Sequence, residues 1–399
     1  MKLLQLSFVN FKQSSYILVE GTSANDRFFI IQSGRVKCFS EVAIPGTTPE
    51  ILGPGDFIGV VSCMSGHGQP KNVVALTPVV AIMVHKSQYP ELIMKNTPVA
   101  MKIVRSFARD MRIVNDRLTK LTLKNIILDS PESLFSIAEY YEKSGHYNIA
   151  LYGYYQYLKQ CSTGINIENA KRKFIALRQR AKAAYLEPSN EIFREYPADS
   201  MIFSECQKGA DMFIIQEGSV RISKVVDGNE VTLALLKKGD MFGEMALLEN
   251  KPRSASAIAH EPCRLMVVNM ANFNQMVTTQ PQMISKLTMM FAERLWAMHR
   301  QLANTQLGDL REKLIDMISL QIEKQKVPFV KGSVYHSGLS LTDVFKLCAI
   351  PREQQGEACR QIQYDQNIKI VGGKIDVPDV EELIKQAAFY RKQSSRHAN

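Results

Sequence analysis

FIIQEGSV, residues 213–220, repeats FIIQSGRV, residues 29–36, at an offset of 184 positions. The same offset joins LKKGDMFG (236–243) to LGPGDFIG (52–59), and Pro252-Arg253 answers Pro70-Lys71 at an offset of 182. The chain is therefore a long-period duplication, not a solenoid. Within each copy, short β-forming runs (Phe28–Ile31, Arg35–Ser40, Met212–Ile215, Val220–Val226) are cut by Gly and by turn-forming Gly-Asp or Asp-Gly pairs. That is the pattern of a small antiparallel barrel or jelly roll.

The second copy continues as GDMFGEMALLENKPRSASAIA, residues 239–259. A strand ending in Gly243 turns into a short apolar helix, Glu244–Leu248, whose first backbone N–H groups lack helical partners and suit an anion. Arg253 follows at a spacing that returns a guanidinium to the same place, where its planar fork matches a phosphate. This segment resembles the phosphate-binding cassette of cyclic nucleotide-binding domains, as in protein kinase A regulatory subunits and the catabolite activator (Crp/Fnr) family. The resemblance implies that Gly243, Glu244, Met245, Arg253, Ser254 and Ala255 hold a cyclic nucleotide, cAMP or cGMP. Glu244 would accept from the ribose 2′-hydroxyl, and Ser254 and Ala255 would donate near the phosphate. The family base rate favours cAMP.

The first copy departs from this pattern where the chemistry lies: Val60 stands in place of the Glu, Lys71 in place of the Arg, and GHGQPKN in place of ENKPRS. A lysine meets phosphate as a point charge, without the fork. The first copy is expected to be a degenerate module, retained for packing or dimerisation.

Each copy is followed by a helix. After the first, Val104, Phe107, Met111, Val114, Leu118, Leu121, Asn125 and Leu128 alternate at spacings of three and four, a seam with one polar residue that predicts a homodimer. After the second, Ile284, Thr288, Phe291, Leu295, Met298, Leu302 and Thr305 keep the same rhythm. By resemblance to the family this second helix covers the purine, so Trp296, Met298 and His299 are expected to cap the ligand. Between the copies, ESLFSIAEYYEKSGHYNIALYGYYQYLKQ (132–160) has the spacing of one tetratricopeptide hairpin, and one repeat alone cannot bury its faces.

SLTDVFKLCAIPREQQGEACRQIQYDQNIKIVGGKIDV, starting at Ser340, reads as helix, short turn, helix and a hairpin around Gly372-Gly373. It is similar to the winged helix-turn-helix of the Crp/Fnr regulators. Arg352, Glu353, Gln354 and Gln355 then begin the recognition helix, where they would face base edges in a major groove. Residues 351–363 carry two Arg against two Glu, so phosphate contacts must come from elsewhere: Lys374 and Lys369 in the wing, Lys346, and Arg391, Lys392 and Arg396 in the tail.

The whole chain has 399 residues, 45% hydrophobic and 22% charged, which suits several folded domains and excludes disorder as the main state. The net charge of +10 raises the expectation of a polyanionic partner, yet most of the excess lies in residues 100–187, where it marks a possible protein-partner surface. Seven scattered cysteines form no CxxC pair, and no apolar run is long enough for a membrane span, so a soluble cytoplasmic protein with no metal and no cofactor is expected. No HExxH, P-loop, nucleophile elbow or kinase signature occurs, so no enzyme is expected.

The sequence thus predicts an α+β multidomain chain: a degenerate barrel (1–99), a coiled-coil-like helix (100–128), a tetratricopeptide-like connector (129–187) and a cyclic nucleotide-binding barrel (188–283). A coupling helix (284–308), a winged helix (309–382) and a basic polar tail (383–399) complete it. Its expected function is cyclic nucleotide-gated transcription regulation on duplex DNA. The alternative is a nucleotide-responsive scaffold or regulatory subunit that binds a protein and no DNA.

Overall fold

The computed structural model describes residues 6–40, 48–123, 130–181, 186–187, 189, 191–226, 228–279, 281–348 and 350–397. Two seam positions, Asn125 and Leu128, fall outside these. The chain divides into two compact units, one of residues 1–110 with 276–399 and one of residues 111–275.

In the first unit, one four-stranded antiparallel sheet pairs Ser7–Phe11, Val79–His85, Arg27–Ser33 and Phe57–Ile58 in that order. A second pairs Tyr16–Leu18, Asn72–Ala75, Val36–Phe39 and Glu50–Leu52. Leu18, Phe29, Ile31, Val36, Ile58 and Ala81 fill the space between them. In the second unit, Phe193–Tyr196, Cys263–Asn269, Asp211–Glu217 and Met241–Phe242 repeat the first order, and Met201–Phe203, Ser256–Ala259, Ser219–Val226 and Asn229–Lys237 repeat the second. Neither pair of sheets closes, so each copy is a two-sheet jelly roll and the expected barrel is corrected.

The glycine shared by the two repeats explains why the turn is kept. Gly34 and Gly218 have φ of 90° and 79°, and a Cβ on them would come within 2.3 Å of the Pro78 carbonyl oxygen and 2.1 Å of the Pro262 carbonyl oxygen. Only glycine fits both the left-handed backbone and that approach.

The helices follow in order: α1 (Val60–Ser65), α2 (Tyr89–Lys95), α3 (Thr97–Leu123), α4 (Ser133–Lys143), α5 (Tyr147–Gln160), α6 (Ile167–Arg178), α7 (Glu244–Glu249), α8 (Met270–Thr279) and α9 (Pro281–Asn304). The α4–α5 pair turns at Gly145, and a Cβ on Gly153 would meet the Ala138 Cβ at 2.8 Å, so the two helices are in close contact. Their core of Tyr141, Tyr154 and Tyr157 continues into the second β domain through Met201, Cys206 and Ile258.

The C-terminal region contains α10 (Leu310–Lys324), α11 (Leu341–Leu347), α12 (Arg352–Gln363) and α13 (Val380–His397), with a three-stranded sheet of Tyr335–His336, Lys374–Val377 and Lys369–Val371. Ser340 caps α11 reciprocally: its hydroxyl accepts from the Asp343 N–H at 3.2 Å, and the Asp343 carboxylate accepts from the Ser340 N–H at 2.8 Å. Trp296 and Ala297 of α9 enter this core beside Leu314, Ile318, Val344 and Ile362.

Among the seam residues of α3, Val104, Phe107, Met111, Val114 and Leu118 are no more than 3% exposed in the single chain. The chain itself covers that stripe, so burying it needs no homodimer. All seven cysteines are free, and among the described residues no cluster of His, Cys, Asp or Glu is arranged to hold a metal. No helix among them is long and apolar enough to cross a membrane.

Candidate functional site

The cassette of the second β domain is built on Gly243, at φ 81°, which caps α7. A Cβ there would sit 2.7 Å from Arg253 Nη1 and 3.1 Å from the Asp211 carbonyl oxygen. Arg253 turns back as its spacing predicts, and its Nη1 donates to the Gly243 carbonyl oxygen at 2.8 Å. Two backbone hydrogen bonds fix the arginine's place in the chain: Arg253 N–H to the Gln207 oxygen and Cys206 N–H to the Arg253 oxygen, each 2.9 Å.

The guanidinium is buried, with its carbon 4.1 Å from the Phe203 ring centroid and 5.9 Å from that of Phe213. Gly209 closes its other side, since a Cβ there would lie 2.6 Å from Nε. Burial lowers the Arg253 pKa to about 10, against the pull of Asp211. It stays cationic near neutrality, and an anion brought to it would offset the cost of desolvation. Glu244 and Met245 are buried in the first turn of α7, Ala255 is buried beside Arg253, and the Ser254 hydroxyl reaches the Met245 sulfur at 3.7 Å. Six predicted ligand residues therefore converge on one short helix and the segment after it.

The other three lie in the other unit. Trp296, Met298 and His299 belong to the unit of the first β domain, because α9 packs on α1 and α2. The Trp296 indole stacks on His67 with centroids 3.6 Å apart and planes 8° from parallel. Within the second unit, the end of α3 lies beside the cassette. Arg112 Nε donates to Glu249 at 2.6 Å and its Nη2 donates to the Pro252 carbonyl oxygen at 3.2 Å, both at the far end of the cassette. One turn on, Asp116 Oδ1 lies 3.4 Å from Lys224 Nζ. The seam pattern of α3 drew attention to its apolar stripe, and Arg112 and Asp116 sit off that stripe.

In the first β domain, Gly59 caps α1 at φ 78°, as Gly243 caps α7. Val60 is buried where Glu244 stands in the second copy, and Lys71 pairs with Glu50 at 3.5 Å. His67, in the loop that replaces ENKPRS, lies under Trp296.

Of the predicted DNA-contacting residues, Arg352, Glu353 and Gln354 are exposed at the start of α12, and Lys374 is exposed on the hairpin. Gln355 Nε2 donates to the Ile350 carbonyl oxygen at 3.2 Å. Glu357 holds Arg360 at 2.6 Å. Arg391, expected to lend charge to phosphates, is bound to buried Asp316 at 2.5 Å.

Residues 8–96 and 193–280 each match the family model for the cyclic nucleotide-binding domain. The chain is 25% identical over 182 residues to the cAMP-activated global transcriptional regulator CRP of Pasteurella multocida, covering 45% of this chain and 86% of that protein. It is 26% identical over 203 residues to the Cyclic AMP receptor protein of Thermus thermophilus, covering 49% of this chain and 88% of that one. Over 94 residues it is 39% identical to a cAMP-dependent protein kinase regulatory subunit of Mycosarcoma maydis, covering 23% and 18%. The chain thus carries two cyclic nucleotide-binding domains, and its homologues are cyclic nucleotide-binding regulators, not enzymes.

Proposed function

We propose that this chain is a cyclic nucleotide-gated transcription regulator, with its ligand, cAMP first among the candidates, in the second β domain and duplex DNA at the C-terminal region. The observation that carries the ligand half is the buried Arg253 guanidinium set over Gly243 and Glu244, where its Nη1 donates to a neutral carbonyl. A phosphate taken there replaces a weak acceptor with an ionic one. The first β domain has no fork and no Glu at the matching positions, and its cassette loop is covered by Trp296, which supports a packing role for it.

The DNA half rests on α11 and α12 as a helix-turn-helix and on the 369–377 hairpin as a wing, with Arg352 and Gln354 as base readers and Lys374 and Lys369 on phosphates. Arg112 ties α3 to the cassette, so α3 is the route by which ligand binding leaves the second domain. The ligand acts only by its difference in affinity between the free and DNA-competent states. A cytoplasmic homodimer that pairs two C-terminal regions on two half-sites fits this reading.

A gel-shift titration at low ionic strength tests it: cyclic nucleotide should alter duplex binding, and Arg352→Ala should relax sequence choice. One observation favours the alternative scaffold. The exposed start of α12 carries little net charge, and Glu357 neutralises Arg360. Absence of salt-dependent duplex binding, with or without nucleotide, would leave the scaffold, with its partner on the basic face of α6 (Lys171, Arg172, Arg178).

A further inference from the structure

We propose that Lys224, held between Glu205 and Asp116, is the specificity-determining donor of the second β domain, a hydrogen-bonding contact for the base edge of the nucleotide whose phosphate Arg253 takes. The inference rests on the reading of residues 239–259 as a nucleotide cassette.

The Lys224 side chain is 1% exposed and lies 3.2 Å from Glu205, whose side chain is 2% exposed, and 3.4 Å from Asp116. Its position beside the cassette follows from strand register. Ser223 lies across from Ser256, just beyond the Arg253–Ala255 segment, and the Ser256 hydroxyl accepts from the Glu205 N–H at 3.0 Å. Strand alternation sets its direction. Ser223 and Val225 face the α4–α5 hairpin, where Tyr141 meets the Ser223 hydroxyl at 3.5 Å and Val225 joins the hairpin core. Lys224 therefore points to the opposite face, into the jelly roll.

Burying a lysine carries a desolvation penalty that an apolar residue at the same place would not. At the matching position of the first copy, 184 residues earlier, stands Ser40. The copy without the Glu and Arg of the cassette thus also lacks this lysine.

Charge decides which part of the ligand the group suits. With carboxylates at 3.2 and 3.4 Å, the Lys224 ammonium is already matched by acidic groups, which leaves the phosphate to Arg253. A neutral ring edge with both donors and acceptors is the matching chemistry. Adenine and guanine exchange a donor for an acceptor at the same ring position, so fixed donors and acceptors pair with one and leave groups unpaired against the other.

Calorimetry on the full chain with cAMP and cGMP tests this, using the wild type, Asp116→Asn and Lys224→Met/Glu205→Gln. The double variant removes both buried charges together, and Asp116 is exposed enough for its amide to be tolerated. The wild type should prefer one nucleotide, and both variants should shrink that preference, the double variant by about tenfold or more, while the disfavoured nucleotide still binds. A wild type that binds both equally, or folded variants that keep the wild-type ratio, would overturn the role of Lys224 while leaving the cassette reading intact. Absence of binding of either nucleotide by the wild type would overturn the cassette reading itself.

Discussion

The indole of Trp296 lies flat on the imidazole of His67, at 3.6 Å between centroids. This contact joins α9 to the loop that, in the other copy, carries the arginine of the cassette. Arg300, one turn along α9, places its guanidinium 5.5 Å from the same indole and spans Asp316 and Glu323 of α10 at 3.0 and 3.1 Å. The first β domain, α9 and the C-terminal region are thereby one packed body.

Acid should loosen that body at His67. Burial lowers the His67 pKa below its ordinary 6.5, so the folded protein binds this proton less readily than the unfolded chain does. The stabilisation is complete above pH 6.5 and is lost as pH falls through the folded value. Because Trp296 is the only tryptophan, its emission reports the stack directly. A change in emission with a midpoint below 6.5 is expected, and it should vanish in His67→Phe.

Asp316 should behave as a buried carboxylate that two arginines keep ionised. Burial raises its pKa, and the Arg300 and Arg391 guanidiniums override that and hold it below 3.8. Its stabilising effect is present above about pH 3.9 and disappears as pH falls through the lower folded value. Asp316→Asn removes the carboxylate from Arg391 and leaves Arg300 with Glu323 alone, and is expected to cost about 3–5 kcal/mol in urea unfolding at neutral pH.

Gly243→Ala should damage the cassette twice. The φ of 81° disfavours any side chain, and the new methyl would press on Arg253 Nη1. A loss of about 1–3 kcal/mol in stability is expected, with nucleotide affinity falling further than in Gly239→Ala, where φ is similarly positive at 91° but the Cβ would meet nothing within 4 Å.

Arg112→Met should separate binding from response. Removing its bonds to Glu249 and the Pro252 oxygen leaves Arg253 in place, so nucleotide affinity should change by less than about fivefold. The nucleotide-induced change in duplex binding should fall with it. An unchanged response in the gel shift would rule out α3 as the route.

Much of the fold was legible because the duplication repeats its turn glycines: Gly34 with Gly218, and Gly59 with Gly243, answer steric demands that no other residue meets. The cassette residues from Gly243 to Ala255 were legible for the same reason, since one short helix and one returning arginine are local in sequence. The partner of each long helix was not. Periodicity marks the apolar face of α9 and of α3, but it is silent on which copy each face covers, and α9 packs on the β domain that does not precede it. Arg112 and Asp116, one turn apart on α3, lie more than a hundred residues from Lys224 and share no pattern with it along the chain. The two-sheet form of each β domain also lay beyond the strand pattern, which is shared by barrels and jelly rolls.

The most direct measurement is titration calorimetry of the intact chain with cAMP, alongside Arg253→Ala. The account predicts one site per chain in the wild type and a loss of about two orders of magnitude in affinity in the variant. Two equivalent sites, or an Arg253→Ala protein that binds as tightly as the wild type, would contradict it.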